Sequence, residues 1–126
     1  MVEENLKDEI EKDFEFLKKD IFSILIFGSY VRGEQTKRSD IDICLVVGNG
    51  DKKKVWKEIL KSGLTEKYDI KIFETMPLKL KGEVIESSEI IWSKNVAEHS
   101  YYLFKWRKIW EDQKIALRKL GFKIFH

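Results

Sequence analysis

The chain alternates between short apolar runs and longer stretches in which hydrophobic residues recur every third or fourth position. Residues 3–20 place Leu6, Ile10, Phe14 and Leu17 at helical spacing among many charges, which predicts an amphipathic helix. Residues 21–27 (IFSILIF) are a short β-branched and aromatic run that suits a buried strand and ends abruptly at Gly28. A polar segment, GSYVRGEQTKRS, follows, and its first part can turn into a helix. Residues 41–47 (IDICLVV) predict a second strand that runs into a Gly48-Asn49-Gly50 turn. Asp51 then stands as the N-cap of an amphipathic helix bearing Val55, Ile59 and Leu60, which Gly63 stops.

Residues 68–74 (YDIKIFE) alternate as a third strand. Pro77 opens a short helix that includes Leu80, Val84 and Ile85, and residues 89–92 (EIIW) add an edge strand. A long helix over residues 95–119 closes the pattern, with Gly121 after it. Strands alternating with helices predict one domain over residues 1–126 of α/β (α+β) class, a small mixed sheet packed by helices.

Composition narrows the picture only slightly. With 43% hydrophobic residues the chain can bury a real core, and its aromatic and β-branched content sets it apart from disordered sequences. Lysine and arginine exceed aspartate and glutamate by 24 to 22, too even a balance for nucleic-acid binding across the whole surface. Cys44 is the single cysteine, which excludes an intrachain disulfide and a multi-cysteine metal site. It lies inside a predicted buried strand, where a thiol is expected to be inert. The first residues, MVEENLKDEIEKD, are charged where a secretion signal is apolar, and no apolar run is long enough to cross a bilayer. The chain therefore reads as soluble and cytoplasmic. His99 and His126 are too far apart to suggest a metal site, and His99 is expected on a helix surface.

Chemistry concentrates between Gly28 and Asp42. A strand that ends in Gly28-Ser29 and turns into a helix lets the backbone approach a ligand and offers unpaired N–H groups, which suit a phosphate; a simple turn would read the same way. Asp40 and Asp42 are two apart at the start of a strand, so both side chains share one face while Ile41 and Ile43 point into the core. Two such carboxylates repel unless a cation sits between them, and Mg²⁺ prefers oxygen ligands of this kind together with substrate phosphates. A solvated strand end would look alike. Asp69 begins the next predicted strand at the equivalent end. If the two strands are parallel neighbours, three carboxylates converge on a site for metal ions.

The stretch GSYVRGEQTKRSDID closely resembles the nucleotidyltransferase signature, in which Gly-Ser is followed by Arg-Gly and then Ser-Asp-x-Asp. It looks most like the minimal nucleotidyltransferases, small stand-alone relatives of the DNA polymerase β superfamily, and the resemblance spans residues 15–92. It implies a polymerase β-like fold and transfer of AMP from ATP to a hydroxyl, with pyrophosphate leaving. By the same resemblance Gly28 and Ser29 hold the β- and γ-phosphates, Asp40 and Asp42 bind Mg²⁺, and Asp69 binds a second ion and helps deprotonate the acceptor. Tyr30 and Val31 depart from the commonest pattern, where Arg and Ala are frequent, but neither position supplies a metal ligand. Arg32 matches the signature and has two readings, a phosphate contact or a brace for the loop. Ser39 is placed with the nucleotide-binding residues, although its position before Asp40 suits a cap.

The 101–120 helix, YYLFKWRKIWEDQKIALRKL, is unusually aromatic. Tyr102, Trp106, Ile109, Ala116 and Leu120 follow one stripe, which Leu103, Trp110 and Leu117 widen; it is read either as core packing or as an interface with a second copy or another protein. Its lysines and arginines leave RNA contact open but unsupported. Minimal members of the resembled family often accompany a small helical HEPN toxin and modify a tyrosine of it, which implies an antitoxin role for this chain. Two alternatives stand beside that reading: an antitoxin that acts by contact alone, and a nucleotidyltransferase for a small molecule or an RNA end.

Overall fold

The structure, a computed structural model, describes residues 2–36, 38 and 40–121. Among them the order of elements is α1 (Glu4–Asp13), β1 (Ser23–Phe27), α2 (Ser29–Arg32), β2 (Ile41–Val46), α3 (Lys52–Ser62), β3 (Tyr68–Ile72), α4 (Leu78–Ser87), β4 (Glu89–Ser93) and α5 (Val96–Lys119). The first predicted helix is shorter than its periodicity suggests. It ends at Asp13, and Phe14 leads into a 3₁₀ turn over Glu15–Leu17 that still buries Leu17. Capping follows local chemistry elsewhere: the Asp51 carboxylate accepts from the Lys54 N–H at 3.1 Å, and Asn95 accepts from the Glu98 N–H at 3.0 Å.

The four strands form one mixed sheet in the order β3-β2-β1-β4. β1 runs antiparallel to both of its neighbours, while β2 and β3 are parallel, connected through α3. Every residue of β1 is buried, as befits a central strand covered on both faces. One face packs Ile24, Ile26, Ile43 and Leu45 against Ile10 and Phe14 of the N-terminal segment and Val55 and Ile59 of α3. The other packs Leu25, Phe27, Cys44 and Val46 against Phe73, Val84 and Ile85, with Tyr102, Leu103 and Trp106 of α5 around them. Each fully buried side chain of this size contributes about 1.5–3 kcal/mol by leaving water.

Helices α4 and α5 interlock through a glycine. Gly82 is buried against the Trp110 ring, and a Cβ at that position would collide with the indole. Trp110 in turn donates its Nε1–H to Glu86 at 3.2 Å, and Lys114 reaches the same carboxylate oxygen at 3.0 Å.

Two expectations for α5 need correction. His99 is 2% exposed, not on the surface; its Nδ1 lies 2.8 Å from the Ser23 hydroxyl, which also meets Ser93 at 2.9 Å. A partner hydroxyl allows the ring to be buried, and burial pushes its pKa down, which favours the neutral imidazole. The aromatic stripe is also only half covered. Tyr102, Leu103, Trp106 and Trp110 face the body, whereas Ile109, Ala116 and Leu120 are exposed. On the opposite side Tyr101 and Phe104 stand in solvent with Lys105 and Lys108 over their rings.

Gly82→Ala would raise helix propensity by about 1 kcal/mol in an open helix. Here the added methyl displaces Trp110, and urea unfolding is expected to show a loss of about 1–3 kcal/mol instead.

Candidate active site

The end of β1 forces an unusual backbone. Gly28 has φ +79° and ψ −148°, a conformation that glycine adopts without the strain a Cβ would bring, and from it the chain enters the single turn of α2. Its carbonyl accepts from the N–H groups of Val31 and Arg32 at 3.1 and 3.2 Å. Gly33, at φ +72°, closes the turn. Tyr30 and Val31, the two positions that depart from the signature, are half-buried against the core that α1 and α3 cover.

The register across the sheet sets what lies beside this turn. Phe27 pairs with Asp42 across β1 and β2, and Asp42 pairs with Asp69 across the parallel strands β2 and β3. A Cβ at residue 28 would run into the Asp42 carboxylate, so glycine leaves the space that this side chain fills. Burial comes first, and the adjacent Asp69 carboxylate second, in pushing the Asp42 carboxyl up to about 6; the Lys71 ammonium opposes the shift. Asp69 is exposed, and its carboxylate holds Lys71 at 3.0 Å. Thus one lysine partly offsets the charge of two acids.

Asp40 lies just ahead of β2 and is exposed. It shares a hollow of about 270 Å³ with Asp69, Trp56, Thr65 and Lys67. Among the described residues no three acidic, histidine or cysteine side chains stand close enough to form a metal cluster. The structure thus brings Asp42 and Asp69 together and sets Asp40 beside Asp69 on another flank. A pair of adjacent carboxylates suits Mg²⁺, which binds through one or two carboxylates and fills its remaining positions with phosphate oxygens and water.

Arg32 is committed to two carboxylates, Glu34 and Glu83, each at 3.1 Å, so its guanidinium ties the loop after α2 to α4. Ser39 and Lys37 lie outside the described residues. Arg38 is exposed. Cys44 is fully buried, and burial raises its thiol pKa, as expected of an inert core residue. Sequence reasoning missed Glu74. Its carboxylate accepts from the N–H groups of Val47 and Gly48 at 3.0 and 2.9 Å and from the Tyr102 hydroxyl at 2.9 Å, fastening the end of β2 to α5. Its only sequence signal was a carboxylate next to a buried phenylalanine.

Known proteins place these features in context. Residues 4–97 match the family described as polymerase beta, nucleotidyltransferase. A Methanocaldococcus jannaschii protein that bears the name of a protein adenylyltransferase is 46% identical over 102 residues, covering 81% of this chain and 80% of that protein. A crystal structure of a toxin–antitoxin with AMP-PNP superposes with a TM-score of 0.70 at 19% identity, over 90% of this chain and 94% of that one. A chain of the complex between a tri-AMPylated Shewanella oneidensis HEPN toxin and its MNT antitoxin gives 0.64 at 16% identity, over 90% and 91% of the two chains. At these identities the structural likeness shows a shared fold.

Ionising Asp42 opposes folding. The unfolded chain loses that proton near 3.8 and the folded one near 6, so metal-free stability falls as pH rises through this interval. Asp42→Asn is therefore expected to stabilise the metal-free protein by about 2 kcal/mol above pH 7, allowing for screening, and to leave stability below pH 4 unchanged. Thermal melts at the two pH values check this.

Proposed function

The chain belongs to the polymerase β nucleotidyltransferase family, and from that membership we propose that it moves AMP from ATP to a tyrosine hydroxyl of a helical HEPN-type partner, acting as its antitoxin. Nucleotidyl transfer is the chemistry of the family, and the 46% identical relative bears a protein adenylyltransferase's name. The observation that carries the reading is the Asp42–Asp69 register on parallel strands, next to a glycine whose missing side chain makes room for the Asp42 carboxylate. The structural neighbours supply the choice of nucleotide and partner: one is a toxin–antitoxin with AMP-PNP, another a tri-AMPylated HEPN toxin with its antitoxin.

In this proposal Gly28 and Ser29 hold the β- and γ-phosphates of ATP. Asp40 and Asp42 would hold Mg²⁺, and Asp69 a second ion. The metal, when bound, supplies positive charge to the triphosphate and to the charge that develops on it. The acceptor oxygen bonds to the α-phosphorus as the bond from that phosphorus to the bridging oxygen breaks, releasing pyrophosphate. Asp69 takes the acceptor's proton. No protein nucleophile is needed, because such transfers depend on positioning and charge neutralisation. Arg32, already spanning Glu34 and Glu83, serves the site by holding the loop.

Exposed Tyr101 and Phe104 on α5 favour a second reading, neutralisation by contact alone. Trp106 is half-buried against Phe73, so its truncation would disturb the fold before any interface.

Incubation with ATP labelled at the α-phosphate, Mg²⁺ and a HEPN-type partner is expected to label the partner. Asp42→Ala should reduce labelling roughly 100-fold or more. A stable complex that is never labelled, and that survives Asp42→Ala but not Phe104→Ala, would establish the contact-only reading in its place.

A further inference from the structure

The sheet ends at β3 on one side, and among the described residues no backbone group outside β2 pairs with it. An open strand edge presents N–H and C=O groups that an extended chain can complete. This edge is not bare surface. It forms the floor of a groove of about 500 Å³, with Trp56 of α3 on one wall and Met76, Pro77 and Leu80 on the other. Lys52, Lys53 and Lys71 line the groove and no acidic side chain does. Lys52 is anchored through the Gly48 carbonyl at 2.6 Å, which holds that charge in place.

We infer that this groove docks the acceptor as an extended, acid-flanked peptide segment that adds a strand beside Tyr68–Ile72. Three observations meet here. The edge supplies main-chain hydrogen bonds along Tyr68–Lys71 (the Ile72 carbonyl accepts from the Thr75 hydroxyl at 2.9 Å), the apolar walls take alternate side chains, and Lys52 and Lys53 match carboxylates on the incoming segment. The edge is also the strand that carries Asp69. Side chains directly across neighbouring strands lie about 5 Å apart, so a residue of the added strand facing Asp69 presents its hydroxyl to that carboxylate. Asp69 and Lys71 share one face of β3 by the two-residue period and pair with each other at 3.0 Å, so the lysine limits the repulsion an acidic segment meets at Asp69. Docking stands on the groove itself, while the chemical role of the docked residue rests on the transfer reading above.

An NMR titration of the metal-free protein without nucleotide tests the docking. The probes are two blocked pentapeptides, Glu-Val-Tyr-Val-Glu and Lys-Val-Tyr-Val-Lys, each taken to millimolar concentration. The acidic peptide is expected to shift the amides of Tyr68–Ile72 and the Trp56 indole, and to bind about tenfold more tightly than the lysine peptide. Exposed Lys53→Glu should remove most of that preference and keep the folded spectrum. Absence of shifts at β3, equal affinity for both peptides, or no effect of Lys53→Glu would overturn the inference. Shifts at the same amides with Mg²⁺-ATP alone would assign the groove to the nucleotide, and concentration-dependent shifts without peptide would assign it to a second copy; either overturns it. Labelled ATP and Mg²⁺ added afterwards separate the two claims: a bound peptide that stays unlabelled counts against transfer and leaves docking intact.

Discussion

Two carboxylates held side by side without a cation between them oppose the fold that holds them. Asp42 and Asp69 are in this position because adjacent parallel strands start in register, and the main chain cannot move one without moving the other. The molecule accommodates the conflict in three ways. Asp42 keeps its proton to about pH 6, Lys71 lies against Asp69, and Gly28 gives up its side chain so that the Asp42 carboxylate has somewhere to go. None of these adjustments favours stability in itself. They fall together at the place where the proposed function would put a cation and phosphates.

Most of the fold was legible because it rests on local patterns. The β-branched runs at 21–27 and 41–47 and the alternation at 68–74 mark strands whatever surrounds them, and Asp51, Gly63 and Asn95 sit at helix ends. The meeting of Asp42 with Asp69 was conditional on the same patterns: both open predicted strands at one end, and they converge because β2 and β3 are parallel neighbours. Asp40 was less tractable. The two-residue period assigns it the face of Asp42, but the period holds only inside a strand, and Asp40 stands just outside β2.

Other features depend on contacts that no local pattern encodes. His99 was expected on a helix surface, but the Ser23 hydroxyl that makes its burial tolerable is far away in the chain. Glu74 reads as a strand-end carboxylate, yet it holds the turn after β2 and Tyr102 together. For α5 the period placed Tyr102, Leu103, Trp106 and Trp110 correctly on the inner side but wrongly added Ile109, which is exposed. Beyond Trp110, Lys114 is the buried position, paired with Glu86 of α4, and no apolar period marks a lysine as inward-facing.

The placement of β1 has a consequence for how the chain acquires its structure. Among the described residues this strand alone pairs with both β2 and β4, and its second neighbour arrives late: Ser23 meets Ser93 across 70 residues and His99 across 76. During synthesis β1, β2 and β3 can assemble first, leaving the outer edge of the most apolar strand unpaired until β4 and α5 emerge. Closing so long a loop costs entropy before it returns contacts, so sheet completion is the slow, non-local step. A nascent chain stalled before residue 89 would carry a sticky open edge, and the buried Ser23–Ser93–His99 cluster is the latch that ends that exposure.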